Sequence, residues 1–316
     1  MENERKPPLR LLQEEALARR LPKNHPTLSK IQNSIAKRRA GYRGELNTDY
    51  HLTFLPHNRY TIVRDLSLTN QYSFQIDTLL LSPQIIFILE TKNIYGELFF
   101  DKYSNQLIRT IEGHEDGFTN PREQAERQSY QFQNWLKRFR FPTIPIEYFA
   151  TISYPQSIMK TNDEKLFERV FHTEHIVKKI LQMEQKYSTP VTDNKTIRKL
   201  YKKLLMENNP EKMDVLSKWG ISPDEMIRGV QCPECEQFPM KRIHGVWFCT
   251  YCMNQSKKAH IQAVQDYFLL FNSPLTNKTC REFLLLSSRR TTVQILNSMN
   301  LIKNGTTKTI SYSENR

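Results

Sequence analysis

Two short apolar runs, Ile76–Leu81 and Ile85–Leu89, follow each other with a Ser-Pro break between them. Both are rich in branched residues and bounded by polar residues, which predicts two buried strands. Three charges interrupt the pattern: Asp77 lies inside the first run, and Glu90 and Lys92 lie at the end of the second. Buried strands rarely carry charges without a reason, so these side chains are the first candidates for chemistry.

The spacing of the three charges predicts a shared site. Glu90 and Lys92 are two residues apart, so their side chains point to the same face of a strand. A hairpin about the break places Asp77 opposite Glu90. Two close carboxylates repel each other unless a cation lies between them, and oxygen ligands suit Mg²⁺ or Mn²⁺. A lysine beside such an ion stabilises developing negative charge or orients a water. The alternative is an ion pair at a strand end, without a metal.

The surrounding pattern predicts helices and strands in mixed order. A helix within Thr27–Leu55 precedes a strand at Tyr60–Leu66. After the central runs, two further strands are predicted at Gly96–Phe100 and Leu107–Ile111. A helix then begins at Asn120-Pro121 and ends near Phe139, and a last strand follows at Ile146–Ser153. Asparagine as N-cap and proline at the first helical position are typical of a helix start. Glutamines recur on one face of this helix, which faces either the site or solvent: Gln124, Gln128 and Gln131.

Four motifs in this region resemble one known family. They are GYRGE at Gly41–Glu45, QID at Gln75–Asp77, ETKN at Glu90–Asn93 with a glycine three residues later, and NPREQ at Asn120–Gln124. In this order and spacing they resemble the NERD, or nuclease-related, domain. The resemblance covers about Ile35–Ile152. The family is placed in the PD-(D/E)XK nuclease superfamily.

The resemblance implies a restriction-endonuclease-like core and a set of site residues. It assigns Asp77 and Glu90 as metal ligands and Lys92 as the catalytic lysine. It also implies that Glu45, on the preceding helix, is a further acidic residue near the metal, and that Gln124 lines the site. The implied activity is a metal-dependent nuclease.

The charge of the chain favours nucleic acid as the partner. The 316 residues carry a net charge of +13, and a basic surface binds polyanions. We expect no membrane association, because no run of 18 apolar residues occurs. The N-terminal residues lack the apolar segment of a secretory signal, so a cytoplasmic protein is expected. The alternative is a basic, solvated surface without a specific partner.

Four cysteines form the second distinct motif. Cys232 and Cys235 make one C-x-x-C pair, Cys249 and Cys252 make another, and 13 residues separate the pairs. Two such pairs supply four thiolates for tetrahedral Zn²⁺, which predicts a structural zinc ribbon. A redox C-x-x-C is the alternative. We expect Cys280 to be a buried thiol.

The remaining segments are basic and mostly helical. Residues 1–30 are interpreted as a basic, loosely docked arm or a solvated tail. Helices are predicted over Glu164–Tyr187 and Asn194–Glu207, the second with a basic stripe that includes Lys199 and Lys203. Such a stripe either follows a phosphate backbone or is an ordinary solvated face.

The C-terminal pattern predicts a helix-turn-helix module with a wing. The three predicted helices are Ile261–Phe271, Lys278–Leu285 and Arg289–Met299. A hairpin is predicted after them at Leu301–Tyr312, with its turn at Asn304-Gly305. The third helix offers Arg289, Arg290 and Thr292, residue types that contact phosphates or base edges. Small modules of this kind also serve as protein-interaction units, which stays the alternative.

Together these patterns predict an α/β protein of five parts. A restriction-endonuclease-like mixed sheet flanked by helices is followed by a helical linker, a zinc ribbon and a small winged-helix-like module. The expected limits are 1–30, 31–155, 156–230, 231–255 and 256–316. We expect a Mg²⁺- or Mn²⁺-dependent deoxyribonuclease with a structural Zn²⁺. The alternative is a DNA- or RNA-binding protein with a vestigial nuclease core.

Overall fold

The computed structural model describes residues 3–306 and 310–315. The chain folds into two compact units, and each is assembled from two separate stretches. Of the described residues, the first unit comprises 3–8 and 37–211, and the second comprises 9–36, 212–306 and 310–315.

The chain up to residue 207 contains both helices and strands. In chain order they are α1 (Leu9–Arg20), α2 (Leu28–Leu52), β1 (Thr61–Thr69), β2 (Ser73–Leu81), β3 (Ile86–Lys92), β4 (Glu97–Asp101), β5 (Gln106–Ile111), β6 (His114–Thr119), α3 (Pro121–Arg138), β7 (Ile146–Ile152), β8 (Ile158–Thr161), α4 (Leu166–Arg169), β9 (Val170–His172), α5 (Ile176–Glu184) and α6 (Asn194–Glu207).

Shorter elements follow. They are α7 (Val215–Trp219), β10 (Lys241–Ile243), β11 (Val246–Phe248), β12 (Gln255–Ser256), α8 (His260–Leu270), β13 (Leu275–Thr276), α9 (Asn277–Leu284), α10 (Arg289–Asn297), β14 (Leu301–Asn304) and β15 (Ser311–Glu314), with short 3₁₀ turns at Thr173–His175 and Pro223–Glu225.

The main sheet of the first unit has the strand order β1-β2-β3-β7-β9. Strands β1, β2 and β3 are antiparallel neighbours, whereas β7 is parallel to β3 and β9 is parallel to β7. Alternate side chains of the central strands enter opposite cores. On one face Leu79 and Ile88 pack with apolar residues of α3 and α6, and on the other Leu80 and Phe87 pack with residues of α5 and the end of α2. The fold is a mixed sheet flanked by helices, compatible with a restriction-endonuclease-like fold.

A smaller sheet of order β6-β5-β4-β8 completes the first unit. Strands β4 and β5 lie close to their predicted positions. The sequence pattern did not predict β6 and β8. Strand β6 carries mostly exposed side chains and β8 has only four residues, so neither has the apolar run by which a buried strand is recognised.

The predicted helix over Glu164–Tyr187 is wrong as a single element. The chain forms α4, then β9, then α5. Strand β9 interrupts the helix because Val170 and Phe171 are buried and pair with β7. Pairing with a strand distant in sequence overrides the local helical pattern. The predicted helix Asn194–Glu207 is confirmed as α6.

Helix α1 belongs to the core of the second unit, which contradicts the interpretation of residues 1–30 as a loosely docked arm. Leu11, Ala16 and Leu17 are buried with residues of α2, α7 and α8. The Arg20 side chain is also buried; its Nε lies 2.8 Å from Asp266 Oδ2, and it donates to two backbone carbonyl oxygens. Some basic side chains of residues 1–30 are buried and pair with other buried groups. The positive charge of this segment therefore did not indicate that it is exposed. Residues 1–2 of the predicted arm lie outside the described residues.

The rest of the second unit contains the cysteine region and the C-terminal helices. Strands β10, β11 and β12 form one small antiparallel sheet, and β13, β15 and β14 form another. Apolar residues of the first small sheet share one core with α8, α9 and α10, and Cys280 is buried in it as expected. Strands β14 and β15 pair as a hairpin, and residues 307–309 of the predicted hairpin lie outside the described residues. No helix in the described part of the chain is both long and apolar enough to cross a membrane.

Candidate active site and metal centres

The β2–β3 hairpin places the acidic residues as predicted. Ser82 closes the connection: its amide donates to the Ile85 carbonyl oxygen at 3.1 Å, and its hydroxyl donates to the same oxygen at 2.7 Å. The register pairs Thr78 with Leu89, so continuing it by one residue sets Asp77 across from Glu90. The Thr91 amide donates to Asp77 Oδ2 at 3.1 Å, which fixes the Asp77 carboxylate at this end of the hairpin.

Helix α3 brings its glutamine face to Glu90 and Lys92. The buried Glu90 carboxylate lies with Oε1 2.6 Å from Lys92 Nζ, and its Oε2 accepts from Gln128 Nε2 at 2.7 Å. Lys92 Nζ also donates to Gln124 Oε1 at 3.0 Å. Gln124 and Gln128 of this face therefore point to the site and not to solvent. Gln128 was on the predicted face but was not among the predicted site residues.

Helix α2 approaches the ends of β3 and β7 closely. Asn93 Nδ2 donates to the Ala40 carbonyl oxygen at 2.7 Å, and the hydroxyls of Thr48 and Thr91 lie 2.9 Å apart. A Cβ at Gly44 would lie 2.5 Å from Ser153 Oγ and 2.7 Å from Asn93 Cβ, so only glycine allows this approach. The GYRGE and ETKN motifs thus meet in space, and their contact positions Glu45.

Glu45 lies in an acidic cluster that sequence reasoning missed. Arg5 Nη1 is 2.9 Å from Glu45 Oε2 and 2.7 Å from Asp65 Oδ1, and Arg5 Nε is 2.6 Å from Asp49 Oδ2. Asp65 could have been found from the sequence, because it is a charged residue inside the predicted strand Tyr60–Leu66, just as Asp77 is a charged residue inside the run Ile76–Leu81. Arg5 carried none, because its partners are at least 40 residues away along the chain.

Strand β1 is distorted beside Asp77. The ladder pairs Arg64 with Thr78 and Leu66 with Ile76 but omits the position between them, where Asp65 and Asp77 face each other. Asp65 has φ of +54°, in the left-handed region that side chains other than glycine rarely adopt. Such strain persists where the surroundings over-determine it, and it often marks functional sites.

Burial and crowding raise the pKa of the acidic groups in this site. Burial and the neighbouring Asp77 carboxylate raise the pKa of Glu45 to about 8, although Arg5 acts in the opposite direction. The same two causes raise the pKa of Glu90 to about 7, against the opposing effect of Lys92. Burial raises the pKa of Asp65 to about 6, although Arg5 opposes it. Burial is the largest single effect on Lys92 and would lower its pKa, but Glu90, Asp77 and Glu45 together outweigh it and the net shift of the pKa is upward. A protonated lysine thus lies among carboxylates that repel one another.

The comparisons with known proteins identify this region. The family model of the nuclease-related domain matches residues 40–153. This segment is a NERD domain. The matched limits agree with the resemblance found in the sequence. Comparison with curated proteins and with solved structures found no match.

The residues of the NERD domain fit a divalent cation held by few protein ligands. An ion between Asp77 and Glu90 would relieve the repulsion that raises the pKa of Glu90. Gln128 Oε1 is buried without a hydrogen-bond partner among the described residues, and such an oxygen suits a water bound to an ion. Asp77, Glu90 and Glu45 do not form a compact group of three ligands in the described part of the chain. A divalent cation held by the two facing carboxylates would therefore retain several waters among its ligands.

The four cysteines outside the NERD domain form a compact group. Their Sγ atoms all lie within 4.8 Å of one another; Cys232 and Cys252 are 3.6 Å apart, and Cys235 and Cys249 are 3.5 Å apart. Zn–S bonds of about 2.3 Å in a tetrahedron require S–S separations of about 3.8 Å, so the group is compatible with a zinc ribbon.

The predicted nucleic-acid contacts differ in their exposure. Arg289 and Arg290 are exposed at the start of α10, and Lys199 is exposed on α6. The structure corrects the prediction that Thr292 contacts nucleic acid. Its side chain is fully buried and donates to the Ser288 carbonyl oxygen at 3.0 Å, so it caps the turn and does not face a ligand. Lys203 is half-buried and pairs with Glu207 at 2.7 Å.

Proposed function

We propose that the NERD domain is a metal-dependent phosphodiesterase that acts on DNA. The single observation that supports this most strongly is the grouping of Asp77, Glu90 and Lys92 at one end of the β2–β3 hairpin, inside a domain whose family is nuclease-related. Asp77 and Glu90 would hold Mg²⁺ or Mn²⁺. When bound, such an ion polarises a phosphoryl oxygen and lowers the pKa of a bound water.

Lys92 has the role of a cation and not of a base. Its raised pKa keeps the ammonium protonated at neutral pH, so Lys92 donates hydrogen bonds to Glu90 and Gln124. A phosphate entering the site would meet a fixed positive charge that stabilises the negative charge developing during displacement. Gln124 and Gln128 orient the lysine and the glutamate, so their rotamers are fixed before substrate binds.

Substrate binding is assigned to basic residues outside the catalytic group. The net charge of +13 favours a polyanion, and the exposed Arg289 and Arg290 at the N-terminus of α10 have the position from which a recognition helix contacts DNA. Zn²⁺ would have a structural role in this scheme, because four thiolates leave no open coordination position.

Cleavage of closed-circular and linear DNA tests the proposal. We expect the full chain to cleave with Mg²⁺ or Mn²⁺ and to be inactive with chelator. Glu90→Gln keeps the hydrogen bond from Gln128 but removes the charge, and the rate is expected to fall at least about a hundredfold.

A matched control separates the site from general charge effects. Glu97→Gln makes the same change at a partly exposed residue that pairs with Lys160, and it should cleave as the wild type does. Equal cleavage by Glu90→Gln and Glu97→Gln would refute the site. Salt-sensitive DNA binding without cleavage in any metal would favour the alternative, a nucleic-acid-binding protein with an inactive core.

A further inference from the structure

Arg5 uses its whole guanidinium on the acidic side of the candidate centre. Besides the three carboxylates of Glu45, Asp49 and Asp65, its Nη2 donates to Thr78 Oγ1 at 2.7 Å and to the Asp77 carbonyl oxygen at 3.1 Å. The side chain is 2% exposed. An arginine buried to this extent without carboxylates would be very costly, so it and the acidic cluster require each other.

The segment before Arg5 is fixed to the edge strand β1. The Asn3 side chain donates to the Arg64 carbonyl oxygen at 2.9 Å and accepts from the Arg64 amide at 2.8 Å. Arg64 Nε in turn lies 2.8 Å from Asp49 Oδ1. These bonds hold the backbone in register beside β1, so Arg5 enters the site at a defined position.

The charges around the centre show what Arg5 contributes. In the described part of the chain, these contacts join the acidic groups Asp77, Glu90, Glu45, Asp49 and Asp65 and the cationic groups Arg5, Arg64 and Lys92. When all five carboxylates are ionised, two negative charges remain unbalanced, which one divalent cation neutralises. Without Arg5 three would remain, shared by carboxylates that are not gathered into a compact ligand group in the described part of the chain while Arg5 lies among them.

We propose that Arg5 is a built-in counter-ion that supplies, in place of a second divalent cation, the positive charge that the acidic cluster requires, and so limits the centre to one cation. Arg5 is thereby a positioning residue, because it holds Glu45 and the Asp77 backbone without touching the reacting atoms. The inference rests on the proposed function for the assignment of Asp77 and Glu90 as ligands.

Counting bound Mn²⁺ in the zinc-loaded full chain tests the proposal without any cleavage assay. The free-ion electron paramagnetic resonance signal gives the number of ions and their affinity. We expect one Mn²⁺ per wild-type chain and a second Mn²⁺ in Arg5→Gln. Arg5→Lys, which keeps the charge, should bind one. Lys6→Gln removes a neighbouring exposed cation and should also bind one, so a second ion there would show a general charge effect and overturn the proposal.

Two further outcomes keep the tests separate. A folded Arg5→Gln that binds one Mn²⁺ with unchanged affinity overturns the Arg5 proposal, whereas equal Mn²⁺ binding by wild type and Glu90→Gln overturns the proposed centre instead. Should Arg5→Gln not fold, Asp65→Asn tests the same assignment from the acidic side. It leaves Arg5 with excess positive charge, and Mn²⁺ affinity should fall about three- to tenfold; unchanged affinity overturns the proposal.

Discussion

Buried charges in the described part of this protein are held by specific partners, some near and some distant in the sequence. Glu90 is paired by Lys92 and Gln128, and Arg20 is paired by Asp266. Unpaired, each would raise the free energy of the folded state by several kcal/mol. These pairs therefore decide which buried side chains are ionised in the folded chain. The amino-acid composition alone does not show which residues are paired.

His260 provides a residue-scale prediction about pH. It is buried, and its Nδ1 accepts from Trp247 Nε1 at 3.0 Å; burial and, secondarily, Arg242 lower its pKa to about 4. Between this value and the ordinary pKa of about 6.5 the unfolded chain binds a proton that the folded chain does not. The free energy of unfolding therefore rises with pH across this window, and the stability is lost as pH falls through it, by an amount on the order of 3 kcal/mol.

Urea unfolding of wild type and His260→Gln between pH 4 and pH 7 measures this effect. The glutamine can still accept from Trp247 but does not titrate, so the difference between the two proteins should narrow as pH falls. Zinc release in acid affects both proteins alike. Parallel pH curves would contradict the prediction.

Residues of the candidate centre could be predicted where the nearby sequence pattern marks them, and they were missed where only contacts across the fold do. Asp77, Glu90 and Lys92 were found because charges interrupt two apolar strands and because the motifs resemble a family. Arg5 and Asp49 were missed, since their roles come from contacts across the fold. Thr292 was misassigned because residue type alone does not reveal which helix face is buried.

At the scale of elements, the packing of α2 on the sheet depends on one glycine. A Cβ at Gly44 would overlap Ser153 Oγ and Asn93 Cβ, and overpacking of this kind costs about 1–3 kcal/mol. We therefore expect Gly44→Ala to lower the melting temperature and to shift Glu45 away from the centre.

Gly41→Ala is the matched substitution on the same helix. Nothing lies within 4 Å of a Cβ there, so alanine should raise stability by about 0.5–1 kcal/mol through its higher helix propensity. Thermal unfolding of both variants decides the matter. Destabilisation of equal size at both positions would indicate a general intolerance of α2 and not a close approach at Gly44.

The elements were predicted best where side-chain periodicity and caps agree. Helix α3 begins at Pro121 after the N-cap Asn120, whose side chain accepts from the Arg122 amide, and the central strands follow their apolar runs. Strand β9 was taken for helix because three residues are too few to show a period, and only their pairing with β7 makes them a strand.

At the scale of the whole molecule, zinc is expected to control one unit and not the other. Cys232 and Cys249 belong to the same core as apolar residues of α8, α9 and α10. Because binding of structural zinc contributes on the order of 10 kcal/mol to the folding of small zinc domains, its loss should loosen that whole core.

Hydrogen exchange tests this prediction. Cys249→Ser should lose zinc and exchange faster in peptides from β10 to α10, while peptides of β2 and β3 keep wild-type protection. Cys280→Ala changes a buried cysteine outside the four-cysteine group and should retain one zinc. Faster exchange throughout the chain in Cys249→Ser would refute the assignment of zinc to one unit.

The interleaved course of the chain has a consequence for synthesis on the ribosome. Residues 9–36 emerge early, but their partners begin only at residue 212, so the apolar side of α1 must wait while 175 intervening residues (37–211) are translated. A fragment that ends at residue 211 leaves Leu11 and Leu17 permanently without their partners in α7 and α8. Such a fragment would need a chaperone to remain in solution, and the NERD domain should therefore be assayed within the full chain.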